Sequence, residues 1–360
     1  MRIRTTAALS FTTLLALGLA VSFTGPRLAH SDEPAPLSLA TEWLTRPILS
    51  PTQTQGEALD LADGAIPPMP MATTRPQWQA LADEIRKDVL DRIVFRGRAA
   101  AWRDAPTRVE WQETIAGGPG YHIKKLRYEA LPGLWIPALL YEPDTLQGKV
   151  AVSLNVNGHD AKGKAVDYKQ IRCINMAKRG MLALNVEWLN MGQLRGEGYN
   201  HYLMNQLDLC GASGLAPFYL AMQRGLDLLL KHPNADPTRV LVTGLSGGGW
   251  QTILLSALDT RVTMSIPVAG YSSFKTRAAR AADLGDSEQT PNDLATIADY
   301  AHFTAMLAPR PTLLVFNAKD NCCFRADDAL PPLLAAATPI FELFDAKDRL
   351  RSHVNQDPGD

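Results

Sequence analysis

A chain of 360 residues, of which 46% are hydrophobic and 20% charged, can bury a large core in one to three domains. Its formal net charge of -1 offers no electrostatic attraction to nucleic acid or to an anionic membrane surface. We therefore expect neither as a partner.

The N-terminus has the three parts of a secretory signal. Residues 1–4 are basic, residues 7–23 are apolar and uncharged, and small residues stand at positions 29 and 31, as at a cleavage site. This pattern predicts a signal peptide over residues 1–31 and export to the periplasm or the extracellular space. An uncleaved membrane anchor is the alternative, because the apolar run is nearly long enough to span a bilayer. No later segment is apolar enough to do so, so no stable membrane span is expected after signal cleavage.

The next part of the chain changes character twice. Residues 32–76 are rich in Pro, Thr, Ser and Ala without a clear period, which predicts a linker or an extended arm. Residues 77–96 have apolar positions at helical spacing and are expected to form a helix. Three short alternating stretches follow and are typical of antiparallel strands at a sheet edge, namely residues 109–115, 121–128 and 134–141.

From residue 150 onward, apolar strands alternate with helices. Strands that are buried on both faces and separated by helices predict a parallel sheet with crossover helices. We expect one domain over residues 77–360, with a mostly parallel sheet, antiparallel N-terminal strands and helices on both faces. The expected strands are 150–156, 181–186, 240–243, 262–268, 312–316 and 340–344, and the helices are 168–178, 215–230, 249–258 and 326–337.

A Gly-x-Ser-x-Gly motif at residues 244–248 joins one of these strands to its helix. A serine at such a turn is held clear of the sheet edge, and glycines beside it allow the neighbouring backbones to approach. We therefore predict Ser246 as a catalytic nucleophile. The alternative is a plain glycine-rich connection between a strand and a helix.

A serine nucleophile needs a base and an acid that orients the base, and both are expected downstream. Asp320 lies just after the strand 312–316 and is the predicted acid, although it can also be a helix-capping aspartate, with Asp327 and Asp328 as competing carboxylates. His353 is the single histidine that follows Asp320, and it is the predicted base.

Two alternatives to His353 stay open. The chain stops at Asp360, within a Pro-Gly turn and without a closing helix, so we also expect that the chain is a C-terminally truncated fragment and that the base lies just beyond this residue. His353 can also serve a structural role by pairing with Asp348 or Asp357.

The tetrahedral intermediate of acyl transfer needs two N–H groups that form an oxyanion hole. Gly247, directly after the serine, is one predicted donor. The loop after the strand 150–156 supplies the other, and the N–H of His159 is our candidate, with its side chain lining the pocket. Four aromatic residues either line the pocket or belong to the core: Trp188, Tyr199, His201 and Tyr271.

The cysteines do not indicate a metal or a disulfide scaffold. Four cysteines are too few for such a scaffold, and neighbouring Cys322 and Cys323 are not expected to bond each other. Because no Cys-x-x-Cys motif and no His/Cys cluster with zinc spacing occurs, we predict no structural metal and no cofactor.

Four motifs together resemble the α/β-hydrolase superfamily, over about residues 105–360. They are Asn-Gly-His at 157–159, Gly-Leu-Ser-Gly-Gly-Gly-Trp at 244–250, Ala-Pro-Arg-Pro at 308–311 and Asn-Ala-Lys-Asp at 317–320. Within it, the chain is similar to the secreted bacterial branch of acetyl-xylan-esterase-like and prolyl-oligopeptidase-like hydrolases. The resemblance implies the α/β-hydrolase fold and an acyl-enzyme mechanism.

The sequence thus favours a secreted serine hydrolase that cleaves small acyl esters of carbohydrates. The segment 270–308 is polar and carries Lys275, Arg277 and Asp283, which suits a cap over a polar substrate better than a lipase lid; alternatively it packs against the sheet edge. Two other functions stay open. One is a serine peptidase of the prolyl-oligopeptidase type, disfavoured by the short N-terminal segment, and the other is an inactive hydrolase-fold binding protein.

Overall fold

The computed structural model describes residues 37–196, 198, 200–280, 283 and 285–358. The predicted signal peptide, Tyr199 and the last two residues lie outside this part. The chain divides into two compact units, Met1–Ser50 and Pro51–Asp360. The first contributes helix α1 (Leu37–Thr45), and all elements below belong to the second. None of the helices among the described residues has the length and apolar character that crossing a membrane requires.

Nine strands form one sheet in the order β1-β2-β3-β5-β4-β6-β7-β8-β9. The pairs β1–β2, β2–β3 and β3–β5 are antiparallel, and all other neighbours are parallel. The predicted mostly parallel sheet with antiparallel N-terminal strands is therefore confirmed. The strands are β1 (Val109–Ala116), β2 (Tyr121–Leu131), β3 (Leu134–Pro143), β4 (Val150–Asn155), β5 (Leu182–Val186), β6 (Ala235–Leu245), β7 (Met264–Val268), β8 (Thr312–Lys319) and β9 (Leu350–Pro358).

Helices cover both faces of the sheet, as predicted. In β5, Leu182 and Leu184 belong to the larger apolar core, whereas Ala183 between them belongs to a smaller one. Successive side chains of a strand point to opposite faces, so these two cores lie on opposite sides of the sheet. The helices are α2 (Gln53–Ala65), α3 (Arg75–Asp88), α4 (Ala100–Arg103), α5 (Asp167–Lys178), α6 (Ala216–Leu230), α7 (Gly247–Leu258), α8 (Phe274–Ala279), α9 (Tyr300–Ala305) and α10 (Ala326–Leu343).

The end of the chain differs from the prediction. The run 340–344 is not a strand, because α10 continues to Leu343 and buries Ile340 and Phe341. A short apolar run is equally compatible with a buried helix turn and with a buried strand, so the sequence pattern does not distinguish them. The last strand is β9, whose polar sequence gave no strand signal because it forms an exposed edge of the sheet.

The segment predicted as a linker or extended arm contains helices. Helix α2 contacts α8, where Gln55 Nε2 donates to the carbonyl of Ala279 at 2.5 Å. Asp63 of the same helix forms an ion pair with Lys275 at 2.7 Å. Polar contacts with exposed partners hold this helix in place, which is why its sequence lacks a strong apolar period.

The turn from β6 to α7 brings several backbone segments into close contact around Ser246. A β-carbon at Gly244 would lie 2.4 Å from the carbonyl oxygen of Val156, and one at Gly249 would lie 2.1 Å from that of Ala269. Only glycine fits at either position. Ser246 itself has φ 59° and ψ -120°, a conformation that costs a non-glycine residue about 1–3 kcal/mol.

Replacement of Gly249 by alanine tests this steric limit. We expect Gly249→Ala to lower the free energy of unfolding by about 3 kcal/mol, because the new methyl group meets backbone atoms that cannot rotate away. The control is Gly56→Ala in α2, where nothing lies within 4 Å of a new β-carbon and helix propensity predicts a gain of about 0.5–1 kcal/mol. Urea unfolding measures both, and equal stability of the two variants would refute the steric account.

Candidate active site

Ser246 has the local geometry of a nucleophile. Its backbone N–H donates to the carbonyl of Val268 at 2.8 Å, and its own carbonyl accepts from the N–H of Gly249 at 2.7 Å. These bonds hold the strained turn between β6 and α7 against the end of β7. The side chain is partly exposed, and its Oγ has no hydrogen-bond partner among the described residues. The hydroxyl is therefore available to a substrate.

The loop after β4 lies directly against this turn. A β-carbon at Gly158 would be 2.8 Å from the backbone nitrogen of Gly247. Within the described part of the chain, neither the N–H of Gly247 nor that of His159 donates a hydrogen bond. Two unsatisfied N–H groups in adjoining backbone segments are what an oxyanion hole supplies.

Buried side chains hold this loop by its carbonyl groups. Gln251 Nε2 of α7 donates to the carbonyl of Asn157 at 2.5 Å, and Lys169 Nζ of α5 donates to that of Gly158 at 3.1 Å. The Asn157 side chain in turn donates to Asn185 Oδ1 at 2.7 Å. The loop is thus fixed at Asn157 and Gly158 through carbonyl acceptors, and these bonds do not use the N–H of His159.

Asp320 follows the last residue of β8. Its Oδ1 accepts the N–H groups of Cys322 and Cys323 at 2.9 and 3.0 Å. Its Oδ2 accepts no hydrogen bond from the described residues, so this oxygen is available to orient an imidazole. The cysteines at positions 173, 210, 322 and 323 are all free thiols.

The structure does not bring His353 to Asp320. His353 lies within β9, where its Cα pairs with Val315 of β8, and its side chain is exposed. Asp320 lies five residues further along the chain than Val315, which corresponds to about 16 Å along an extended strand. The sequence placed His353 in a loop because it assumed a strand at residues 340–344, which is part of α10. No ion pair joins His353 to Asp348 or Asp357 among the described residues.

Trp188 forms a wall beside the turn rather than an exposed stacking face. Only 3% of the residue is exposed. A β-carbon at Gly247 would lie 2.5 Å from its Cη2, and its ring centroid is 4.8 Å from that of His159. Trp188 is therefore a core residue that also shapes the site. Tyr271 is fully buried and bonds to Thr304 Oγ1 at 3.2 Å, so it belongs to the core.

A cluster of polar side chains lies against Trp188, through the rings of His159 and His201. His159 Nε2 lies 3.1 Å from His201 Nε2 and 3.2 Å from Asp286 Oδ2. His201 Nδ1 lies 2.9 Å from Glu288 Oε1. Burial lowers the pKa of both imidazoles, so both are neutral near pH 7, and it raises the pKa of Glu288 well above its usual range. The sequence missed Asp286 and Glu288, since no motif marks them.

The inserted segment after β7, residues 270–308, contacts the site through residues other than those predicted. Arg277 is buried and donates to the Asp283 carbonyl at 2.9 Å, and Asp283 Oδ1 accepts from the N–H of Phe324 at 3.1 Å. Lys275 pairs with Asp63 of α2. The three predicted cap residues thus bond to the backbone or to α2, whereas two nearby acidic residues contact the histidines: Asp286 contacts His159 and Glu288 contacts His201.

Comparison with known proteins identifies the fold. No family model and no curated protein matches the sequence. Among solved structures, Methylesterase BT1017 aligns at a TM-score of 0.63 and 20% identity, over 85% of this chain and 64% of the methylesterase, so the chain spans less than two thirds of that protein. A Bacteroides fragilis protein, provisionally assigned as an acetyl xylan esterase, aligns at 0.65 and 15% identity, over 86% and 84% of the two chains. A glucuronoyl esterase from Solibacter usitatus aligns at 0.61 and 16% identity, over 79% and 89%.

The chain has the α/β-hydrolase fold. Its sheet order, with antiparallel strands at the N-terminal edge and parallel strands elsewhere, confirms the fold that the motifs predicted. At 15–20% identity the likeness concerns the fold, and the chemistry of the site is a separate question.

Lys169 offers a test of how the oxyanion loop is held. It is 1% exposed, and burial lowers its pKa to about 8. The unfolded chain therefore binds more protons than the folded one between this value and the ordinary lysine pKa of about 10.4, so folding becomes more favourable as the pH rises through this window.

We therefore expect the difference in free energy of unfolding between Lys169→Met and the wild type to become smaller as the pH rises. Relative to Lys169→Met, the wild type should gain up to about 3 kcal/mol between about pH 7 and about pH 10. Urea unfolding at both pH values measures the change. Exposed Lys231→Met is the control and should show no such trend. A pH-independent difference for Lys169→Met would contradict the burial of a charged lysine.

Proposed function

We propose that the protein is a serine carboxylic ester hydrolase. One observation carries the proposal: the strained Ser246 presents a free hydroxyl beside the free N–H group of Gly247, with the free N–H of His159 in the adjoining loop. A nucleophile and two donors in this arrangement serve acyl transfer, because the negative charge of the tetrahedral intermediate develops where the donors converge. The names of the structural neighbours, all esterases, support the same chemistry.

In this mechanism Ser246 Oγ attacks the ester carbonyl and a base takes its proton. Gly247 and His159 donate to the oxyanion, the alcohol leaves, and water then releases the acyl group from the serine. Asp320 is the proposed acid, because its Oδ1 is held by two N–H groups while its Oδ2 accepts no hydrogen bond from the described residues. His353 is the sequence-based proposal for the base, and β9 would have to shift by about 16 Å along β8 for it to reach Asp320.

The substrate that we propose is a small acyl ester of a carbohydrate. An open cavity of about 700 Å³ is lined by residues that precede and follow His201 in the sequence, namely Asn190, Arg195, Gly196, Gly198, Asn200 and Leu203. Amide and guanidinium groups suit the hydroxyl groups of a sugar better than a long acyl chain. Export, which the N-terminal sequence predicts, would place the enzyme where polysaccharides occur.

A panel of esters tests the proposal. We expect kcat/KM for p-nitrophenyl acetate to exceed that for p-nitrophenyl decanoate by at least about tenfold, because the described residues that line this cavity offer little apolar surface to the longer chain. Acetylated xylo-oligosaccharides should be deacetylated, and methyl glucuronate, in which the sugar is the acyl part, should react more slowly. Ser246→Ala is the matched control, which measures ester hydrolysis that does not depend on this serine.

The possible outcomes separate the alternatives. Faster turnover of the decanoate would indicate a lipase-like enzyme and contradict the carbohydrate proposal. Cleavage of a prolyl peptide with no ester turnover would indicate a peptidase. A folded protein that turns over none of these substrates would be an inactive binding protein.

A further inference from the structure

Three separate loops bring ligand-type atoms together beside the proposed active site. His159 comes from the loop after β4, His201 begins the 3₁₀ segment His201–Cys210, and Asp286 lies just before the 3₁₀ segment Ser287–Gln289. One nitrogen or oxygen from each of the three lies within 4.8 Å of the others. None of these residues has a role in the proposed chemistry of Ser246, apart from the backbone N–H of His159.

The spacing of these atoms suits a tetrahedral metal ion. Two ligands about 2.0–2.1 Å from zinc at a tetrahedral angle are about 3.3 Å apart. The His159 Nε2–His201 Nε2 and His159 Nε2–Asp286 Oδ2 distances are 3.1 and 3.2 Å. These two distances are close to the tetrahedral value, and the third pair, His201 and Asp286, lies within 4.8 Å and would have to adopt a similar separation when the ion binds.

Hydrogen bonding alone does not satisfy this cluster. His159 Nε2 faces His201 Nε2, Asp286 Oδ2 and the hydroxyl of Tyr202, all at 3.1–3.2 Å. A ring nitrogen has either one proton or one lone pair, so it cannot bond to all three at once. A cation held between His159, His201 and Asp286 would use one lone pair from each.

Glu288 supplies the second, independent observation. It is 1% exposed, and its Oε1 lies 2.9 Å from His201 Nδ1, within hydrogen-bond distance. With the proton on Nδ1, the lone pair of His201 is on Nε2 and faces His159. A carboxylate behind a histidine is the usual support of a metal-binding imidazole. The other oxygen, Oε2, is buried and has no hydrogen-bond partner among the described residues, so this polar atom is left unsatisfied unless a cation lies nearby.

We propose that His159, His201 and Asp286 bind a divalent transition-metal ion, with zinc as the favoured species. Two imidazoles and one carboxylate suit such an ion better than calcium or magnesium, which prefer oxygen ligands. The 37% exposure of the His159 side chain gives the ion a route from solvent. The ion would link the proposed oxyanion loop to the two loops that cover it.

Metal binding is measured on the full chain after removal of metal by a chelator and dialysis. Titration with zinc chloride, followed by calorimetry, should show about one ion per chain. Cobalt(II) should give the visible absorption of a four-coordinate site. His201→Ala and Asp286→Asn should abolish both signals, and Glu288→Gln should weaken zinc binding about 10–100-fold. Circular dichroism confirms that each variant is folded.

His122→Ala is the matched control. His122 belongs to a second group of ionisable side chains, with Glu142 at 3.2 Å and Asp144 at 3.3 Å. This variant should bind zinc as the wild type does. The proposal is overturned if the folded wild type retains no zinc at micromolar free metal, or if His122→Ala loses the ion while His201→Ala keeps it. Because the readout is binding, the result does not depend on ester hydrolysis.

Discussion

The close approach of backbone segments around Ser246 is the constraint on which the rest of the site depends. The carbonyl oxygens of Val156 and Ala269 lie too close to Gly244 and Gly249, respectively, for either glycine to have a β-carbon. This contact fixes the ends of β4, β6 and β7 relative to one another and forces Ser246 into its positive φ. The favourable burial of α7, all of whose residues are buried, offsets the strain.

Buried polar groups then define what the surrounding loops can do. Gln251 and Lys169 bind carbonyls of the loop after β4, so these bonds leave the N–H of His159 unused. A buried lysine is costly unless its ammonium group is hydrogen-bonded. Its position is better explained by the orientation of this loop than by a contribution to stability. The same loop presents the His159 side chain to Asp286, which links the proposed oxyanion hole to the inserted segment.

Much of this fold was predictable from the sequence because its core strands and helices have strong apolar patterns. The succession of the central strands and helices along the chain, the turn at Ser246 and the antiparallel N-terminal edge all follow from such patterns. The position of β9 did not, because an exposed edge strand of polar residues has no period to detect. The apolar run at the end of α10 was misread for the opposite reason, since burial alone does not distinguish a helix from a strand.

The cluster of His159, His201 and Asp286 could not be predicted from the sequence either. His159, His201 and Asp286 are separated by tens of residues and match no spacing rule, so a search for metal motifs predicted none. Lys275, Arg277 and Asp283 stood out by their charge, yet their partners lie within the fold. Only the path of the chain shows which charges of the inserted segment face the site.

The most direct test of the central claim is the covalent labelling of the nucleophile. The full chain is treated with a fluorophosphonate, digested, and analysed by mass spectrometry. We predict one adduct per chain, on the peptide that contains Ser246, and no adduct in a folded Ser246→Ala variant. An adduct on another residue, or an equal adduct in the variant, would contradict the assignment of Ser246 as the nucleophile.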